Sequence, residues 1–269
     1  MKTTILVIFL QLILFSSNAL DVIRINQLGY LPRSTKVAVF ISDKKCAFES
    51  FTVRQSVSNK VVFEGKTKAT NASIWGMKTA FRLDFSACEK SGSFYVEIGS
   101  TKSPVFRINP DVYSGTADFI LNYLRQQRCG YNPFLKDSCH VHDGIIVDHP
   151  TKIGEKINVI GGWHDASDYL QYSTTSVNTI FQMMFAYQNF PEIYADEFNE
   201  RGKKRSNRIP DILDEIKWGL EWMLKMNPGP DEIYNQIADD RDHVGYRLPN
   251  HDSADYDLGE YRPVYFVTG

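Results

Sequence analysis

The strongest constraint on this chain is a change of hydrophobic period at Ile108-Asn109-Pro110. Before it, apolar residues recur at every second position: Val37, Val39 and Ile41 share one face, Phe81, Leu83 and Phe85 another, and Phe94, Val96 and Ile98 a third. Clusters of Gly, Ser, Asn and Lys separate these runs, as turns separate short strands. Several such strands in fewer than about a hundred residues predict a β-sandwich over residues 20–108. After Pro110 the period is helical. Ala117, Ile120, Leu121 and Leu124 form one stripe, and Val177, Ile180, Phe181 and Met184 a second within Ser173 to Tyr187. Ile209, Leu213, Ile216, Leu220 and Leu224 form a third, with Pro210 in the first turn and Asn227-Pro228-Gly229-Pro230 as a stop. These spacings predict an all-α domain over residues 112–269, with the stripes as its core.

The first residues bear on destination. Met1-Lys2 is a short basic start, Ile5 to Phe15 is apolar apart from Gln11, and Ser17-Asn18-Ala19 is a small-residue exit. This pattern predicts a signal peptide over residues 1–19 and a secreted or periplasmic product. The apolar run is too short to span a bilayer, and no second stretch is long enough, so no membrane span is expected. Thirty Lys and Arg against 32 Asp and Glu leave a net charge of −2, which argues against nucleic acid as a partner. The 17 Phe, 14 Tyr and 4 Trp supply flat faces that suit carbohydrate stacking and core packing equally.

Chemistry concentrates in Gly161-Gly162-Trp163-His164-Asp165-Ala166-Ser167-Asp168-Tyr169. If that turn is helical, Asp165 and Asp168 project in similar directions, so one can orient a water while the other takes its proton. As a bare pattern, Asp-x-x-Asp fits a solvated loop just as well. Cys129, Cys139, His140 and His164 make a complete tetrahedral zinc set, closed and therefore structural, while a Cys129 to Cys139 disulfide with two ordinary histidines fits the same spacing. Cys46 and Cys88 lie in the β-domain, where export favours a disulfide between two strands. Asp211, Asp214 and Glu215 open the third helical stripe, a position that favours acids through the helix dipole. The basic stretch Arg201 to Arg208 reads as a solvated loop. Trp163, Tyr169 and Tyr246 are candidates for sugar stacking or for packing.

Five motifs in order carry a resemblance: Asn26 to Tyr30, Gln126 to Gly130, Cys139-His140, Gly161 to Tyr169, and Ile209 to Glu215. Together they resemble glycoside hydrolase family 9, and more closely its subgroup with an N-terminal immunoglobulin-like domain. The resemblance implies that residues 20–108 are that immunoglobulin-like β-sandwich. It also implies that residues 112–269 are the first part of an (α/α)6 barrel, enough for roughly its first four helices.

The implied reaction is inverting hydrolysis of a β-1,4-glucan, polysaccharide or oligosaccharide, by an endoglucanase. Asp168 matches the general base and Asp165 its partner in holding the water. His243 matches a substrate-contacting histidine, with Trp163 and Tyr169 as further substrate candidates. Cys129, Cys139, His140 and His164 match the zinc ligands of the subgroup. Calcium is a possible second ion with no ligand identified here. The family's general acid is a Glu late in a longer domain, and no residue here matches it, so the chain is expected to be a fragment, inactive and prone to aggregate alone. Alternatives within this reading are an exo-acting enzyme and a non-catalytic carbohydrate-binding protein. A zinc-dependent hydrolase would need an open metal position.

Overall fold

The computed structural model describes residues 20–267, which divide into two compact units, one ending at Tyr113 and one beginning at Ser114. The signal-peptide reading falls on residues 1–19 and lies outside the described residues.

The first unit is built from eight strands: β1 (Asp21–Arg24), β2 (Val37–Ser42), β3 (Ser50–Gln55), β4 (Val61–Ala69), β5 (Thr79–Asp84), β6 (Gly92–Ile98), β7 (Thr101–Lys102) and β8 (Phe106–Ile108). Their order is β1-β2-β5-β4-β3-β6-β7, with β8 also on β6. β4 makes the sandwich possible, because Val61 to Lys66 pair with β3 while Thr67 to Ala69 pair with β5. One strand therefore passes from one layer to the other. Between the layers lie Phe40, Phe51, Val53, Leu83, Phe94, Val96 and Ile98, all buried. Each such side chain contributes about 1.5–3 kcal/mol on leaving water.

In this unit the shared face of Val37, Val39 and Ile41 is observed, and the expected disulfide is corrected. Val37, Val39 and Ile41 share a face, but it is the half-exposed one, and Ala38, Phe40 and Ser42 point inward. The register with β5 decides this: Ala38 opposes Leu83 and Phe40 opposes Phe81, and residues directly opposite in a sheet share a face. Cys46 and Cys88 are free thiols rather than a disulfide. The Cys46 thiol donates to Ser42 Oγ at 3.5 Å and to Lys44 O at 3.7 Å, while Cys88 is buried in the aromatic core.

The second unit contains α1 (Thr116–Gln127), α2 (Ser173–Asn189) and α3 (Asp211–Met226). It also contains six strands, β9 (Gly130–Asn132), β10 (Asp137–Cys139), β11 (Ile145–Asp148), β12 (Gln171–Tyr172), β13 (Ile233–Ile237) and β14 (Pro263–Val267). The all-α expectation is thereby corrected: β9 and β10 form a hairpin, and the others form a sheet in the order β11-β14-β13-β12. The long connection from Arg128 to Gln171 holds no helix, because glycines at positive φ (Gly130, Gly154, Gly161, Gly162) repeatedly turn the chain.

α3 lies at the centre of this unit. Ile212 and Ile216 pack with Leu121 of α1, Ile180 and Met183 of α2, and Trp163. Trp222 and Met226 pack with Ile146, Tyr234, Ile237 and Val264 of the sheet. The apolar stripes read from the sequence are rotated from the buried faces: Phe181 is 61% exposed and Leu224 is 73% exposed, and Val177, Met184, Ile209 and Leu220 are exposed as well. The inward stripe of α3 carries Asp211, Glu215, Gly219, Trp222 and Met226. Its amino-terminal half is polar, so a search for apolar periodicity passes over it.

Candidate active site and metal centre

The Gly161 to Tyr169 segment is held by its backbone to the chain leaving α1. Cys129 N–H donates to Gly162 O at 3.0 Å, and His164 N–H donates to Gln127 O at 2.8 Å. This antiparallel bridge sets Cys129 and His164 side by side although 35 residues separate them. Gly161 is required by its backbone, with φ of 131°, and Gly162 also by close approach to α3. A Cβ at Gly162, which has φ of 69°, would lie 2.5 Å from Trp222 Cδ2.

Trp163 follows inward. It is 5% exposed and packs against Gly219, and its Nε1–H donates to Glu215 Oε1 at 2.8 Å. Trp163 is therefore a core residue, and its candidacy for substrate stacking is corrected: an indole enclosed by α3 offers no face to a sugar. Glu215 also accepts from Arg128 Nε at 3.2 Å and Nη2 at 2.9 Å, and Asp211 accepts from Arg125 Nη2 at 2.9 Å. All four charges are buried. Asp211 and Glu215 are thus partners in ion pairs beneath the motif, in addition to their place at a helix start, while Asp214 accepts from Asn207 Nδ2 at 2.8 Å. Removing one member of such a pair leaves a buried, uncompensated charge, a cost of about 3–5 kcal/mol.

Cys129, Cys139, His140 and His164 converge, with one ligand-type atom from each lying within 4.8 Å of all the others. His164 Nε2 is 3.3 Å from His140 Nδ1 and 3.9 Å from Cys139 Sγ, and Cys129 Sγ is 3.7 Å from His140 Nδ1. A tetrahedral ion at ordinary Zn–S and Zn–N lengths has N to N edges of about 3.3 Å and S to N edges of about 3.6 Å. The donor set therefore fits a metal ion in both chemistry and spacing. Cys129 and Cys139 are free, so the disulfide alternative is not realised. Burial pushes the Cys129 thiol up and holds His164 low, keeping its imidazole in the neutral form that ligates. Around the four, Arg262 forks onto Asp143, with Nε to Oδ1 at 2.8 Å and Nη2 to Oδ2 at 2.6 Å, and its Nη2 also reaches Cys129 Sγ at 3.5 Å.

The turn from Asp165 to Leu170 is closed by Asp165 N–H donating to Leu170 O at 2.8 Å. It is a bend rather than a helical turn, and it carries Asp165 and Asp168 on its outer side. Asp165 Oδ1 accepts from Thr175 Oγ1 at 2.8 Å, from the first turn of α2. Asp168 Oδ2 lies 3.2 Å from His243 Nε2, and the ring's Nδ1 lies 3.1 Å from Asp240 O. Asp168 and His243 line a recess of about 220 Å³ with Ser167, Gly245 and Tyr246. Tyr246 is 97% exposed there. Tyr169 is buried: its ring packs against His140 and His164, and its hydroxyl donates to Arg247 O. Its candidacy as a sugar platform is likewise corrected.

The sequence reading passed over Asp143, Arg247, Asp252 and Arg262, and noted Asp242 only as the neighbour of His243. Asp242 is fully buried and accepts from Tyr169 N–H at 2.7 Å, from Arg247 Nη2 at 2.8 Å and from the Tyr256 hydroxyl. Asp242 ends a short 3-10 helix, Asp240–Asp242, and the others lie on irregular segments, where no local pattern marks a buried charge.

Two sequence-family profiles match the chain: "Cellulase N-terminal ig-like domain" over residues 19–103 and "Glycosyl hydrolase family 9" over residues 113–269. The chain belongs to glycosyl hydrolase family 9. Among curated members of family 9, a xyloglucan-specific endo-beta-1,4-glucanase from Bacteroides ovatus is 32% identical over 231 residues, covering 81% of this chain and 38% of that protein. Endoglucanase D from Acetivibrio thermocellus is 26% identical over 244 residues, covering 86% of this chain and 37% of its own length. The chain thus spans well under half the length of these relatives. Among solved structures, a metagenome-derived family 9 endoglucanase superimposes with a TM-score of 0.74 at 30% identity, covering 91% of this chain and 46% of that one. A Zn-binding triple mutant of the family 9 endoglucanase J30 gives a TM-score of 0.72 at 29% identity, covering 87% of this chain and 44% of that one. The first unit is an immunoglobulin-like β-sandwich and the second belongs to the family 9 domain.

Proposed function

We propose that the whole protein hydrolyses β-1,4-glucosidic bonds in a cellulose-type glucan with inversion, and that residues 112–269 contribute the part of an (α/α)6 barrel that carries the base side of the reaction. The observation that carries this reading is the outer edge of the Asp165 to Leu170 turn. There Asp168, beside His243, opens onto a recess, and Asp165 is held from behind by Thr175. Asp168 takes the proton of the attacking water, and Asp165 accepts that water's second hydrogen bond. His243 meets a sugar hydroxyl near the scissile bond.

An inverting enzyme places its proton donor about 6.5–9.5 Å from the base, across the sugar. That donor is not identified among the described residues. The Cys129 and Cys139 thiolates, His140 Nδ1 and His164 Nε2 would hold a structural zinc. When bound, the ion would supply charge to keep both thiols ionised and would pin the segment leading into Asp165. Four protein ligands leave it no open position, so the proton transfers belong to the carboxylates.

Residues 1–19 would direct the protein to the periplasm or the exterior. No helix among the described residues is long and apolar enough to cross a membrane. The test is Asp168→Asn in the complete protein. Release of reducing ends from a β-1,4-glucan should fall about 10²–10⁴-fold in kcat with little change in KM. A variant within tenfold of wild-type kcat would refute the assignment of the base.

A further inference from the structure

His140 and His164 face each other across the metal centre, yet only one is held from behind. His164 Nδ1 is buried with no hydrogen-bond partner among the described residues, whereas His140 Nε2 lies 2.9 Å from Asp252 Oδ2. Asp252 Oδ1 accepts from Arg247 Nε, and Arg247 Nη2 donates to Asp242 Oδ1 at 2.8 Å. Asp242 in turn accepts the Tyr169 N–H, one residue beyond Asp168, and it immediately precedes His243. The guanidinium lies 4.7 Å above the Tyr169 ring, and the Tyr169 hydroxyl returns to Arg247 O. Every charged side chain in this path is mostly or wholly buried, Asp242 completely.

We propose that Asp252 and Arg247 are positioning residues, a relay that ties the metal centre to the loops presenting Asp168 and His243. With a metal on His140 Nδ1, the ring's proton sits on Nε2 and donates to Asp252, which fixes both the tautomer and the carboxylate. Asp252 then holds Arg247 by Nε, leaving Nη2 aimed at Asp242. Asp242, so neutralised, holds the Tyr169 amide and with it the end of the Asp168 turn. Arginine suits the central place because its planar fork reaches two carboxylates at once, which a single ammonium cannot do. Coupling between two ends of such a path is reciprocal: whatever the metal does for the loop, the loop does for metal affinity.

The relay rests on the metal reading above, and its test separates the two. Zinc affinity is measured on the full chain by competition with a chromogenic chelator for wild type, Asp252→Asn, Asp242→Asn and the double variant. Asp252→Asn, next to a ligand, should lose about tenfold or more. Asp242→Asn touches no ligand, yet should lose at least about threefold. The double variant should be no weaker than Asp252→Asn alone, since the second change falls on a path already cut. In zinc-loaded Asp252→Asn the Tyr169 amide should exchange hydrogen at least about tenfold faster, while the Tyr234 amide in β13 stays at the wild-type rate. Wild-type affinity in Asp242→Asn, or full additivity in the double variant, overturns the relay. If Asp242→Asn does not fold, Arg247→Lys takes its place with the same expectations. A wild-type chain that binds no zinc refutes the metal reading itself, and the relay with it.

Discussion

Substituting Gly219 by alanine sets two effects of opposite sign against each other, and the structure decides between them. Gly219 is in the middle of α3, where Ala is favoured over Gly by about 1 kcal/mol. Its φ is not in the left-handed region, so no backbone strain opposes the change. An added Cβ, however, would lie 2.2 Å from Trp163 Cη2, 2.6 Å from Cζ3 and 2.9 Å from Ile180 Cγ1. The indole cannot swing aside freely, because its Nε1–H is bonded to Glu215 and Gly162 before it is pressed against Trp222. Overpacking of this kind costs about 1–3 kcal/mol. Breaking a hydrogen bond to a buried carboxylate costs a further 1.5–3 kcal/mol or so. Net of the helix gain, Gly219→Ala should destabilise the second unit by about 1.5–5 kcal/mol, and it should weaken metal binding because His164 follows Trp163 in the chain. Denaturant unfolding followed by tryptophan fluorescence, together with chelator competition, measures both. Unchanged or increased stability would refute the claim that Trp163 is locked by its contacts with α3.

Two further outcomes are expected. Asp239 is held well below the usual carboxylate range: the Arg241 hydrogen bonds dominate, burial opposes them, and the Tyr265 hydroxyl adds to the lowering. A depressed folded pKa contributes stability that is complete above the unfolded value of about 4 and is lost as pH falls below it. Asp239→Asn should therefore unfold at lower denaturant than wild type at pH 7, with the gap narrowing as pH drops below about 4; an unchanging gap across that range would contradict the ion pair. The free state of Cys46 and Cys88 predicts that alkylation in denaturant and chelator, without reductant, modifies all four cysteines. Mass spectrometry finding two unmodified residues would show a disulfide.

Much of the site was legible because its chemistry is local. Asp165, Asp168 and His164 lie within five residues, and Cys139 abuts His140. The aromatic assignments failed for a definite reason. Trp163 and Tyr169 sit in the same segment as Asp165 and Asp168, but their exposure depends on what α3 and Arg247 place against them. Likewise Asp211 and Glu215 read as helix-end acids, since their partners Arg125 and Arg128 are 86 and 87 residues away.

By itself the sequence determined the two-unit organisation, the strands of the first unit, the three helices of the second and the candidate site residues, because hydrophobic period and short motifs are properties of neighbouring residues. Tertiary structure alone decided which face of β2 and α3 turns inward, that the second unit includes a sheet, and that Cys129, the Cys139-His140 pair and His164 converge on one point. It also decided that Asp252, Arg247 and Asp242 connect that point to Asp168. Register, burial and charge pairing are relations between segments far apart in the chain, and they come into being only when those segments pack.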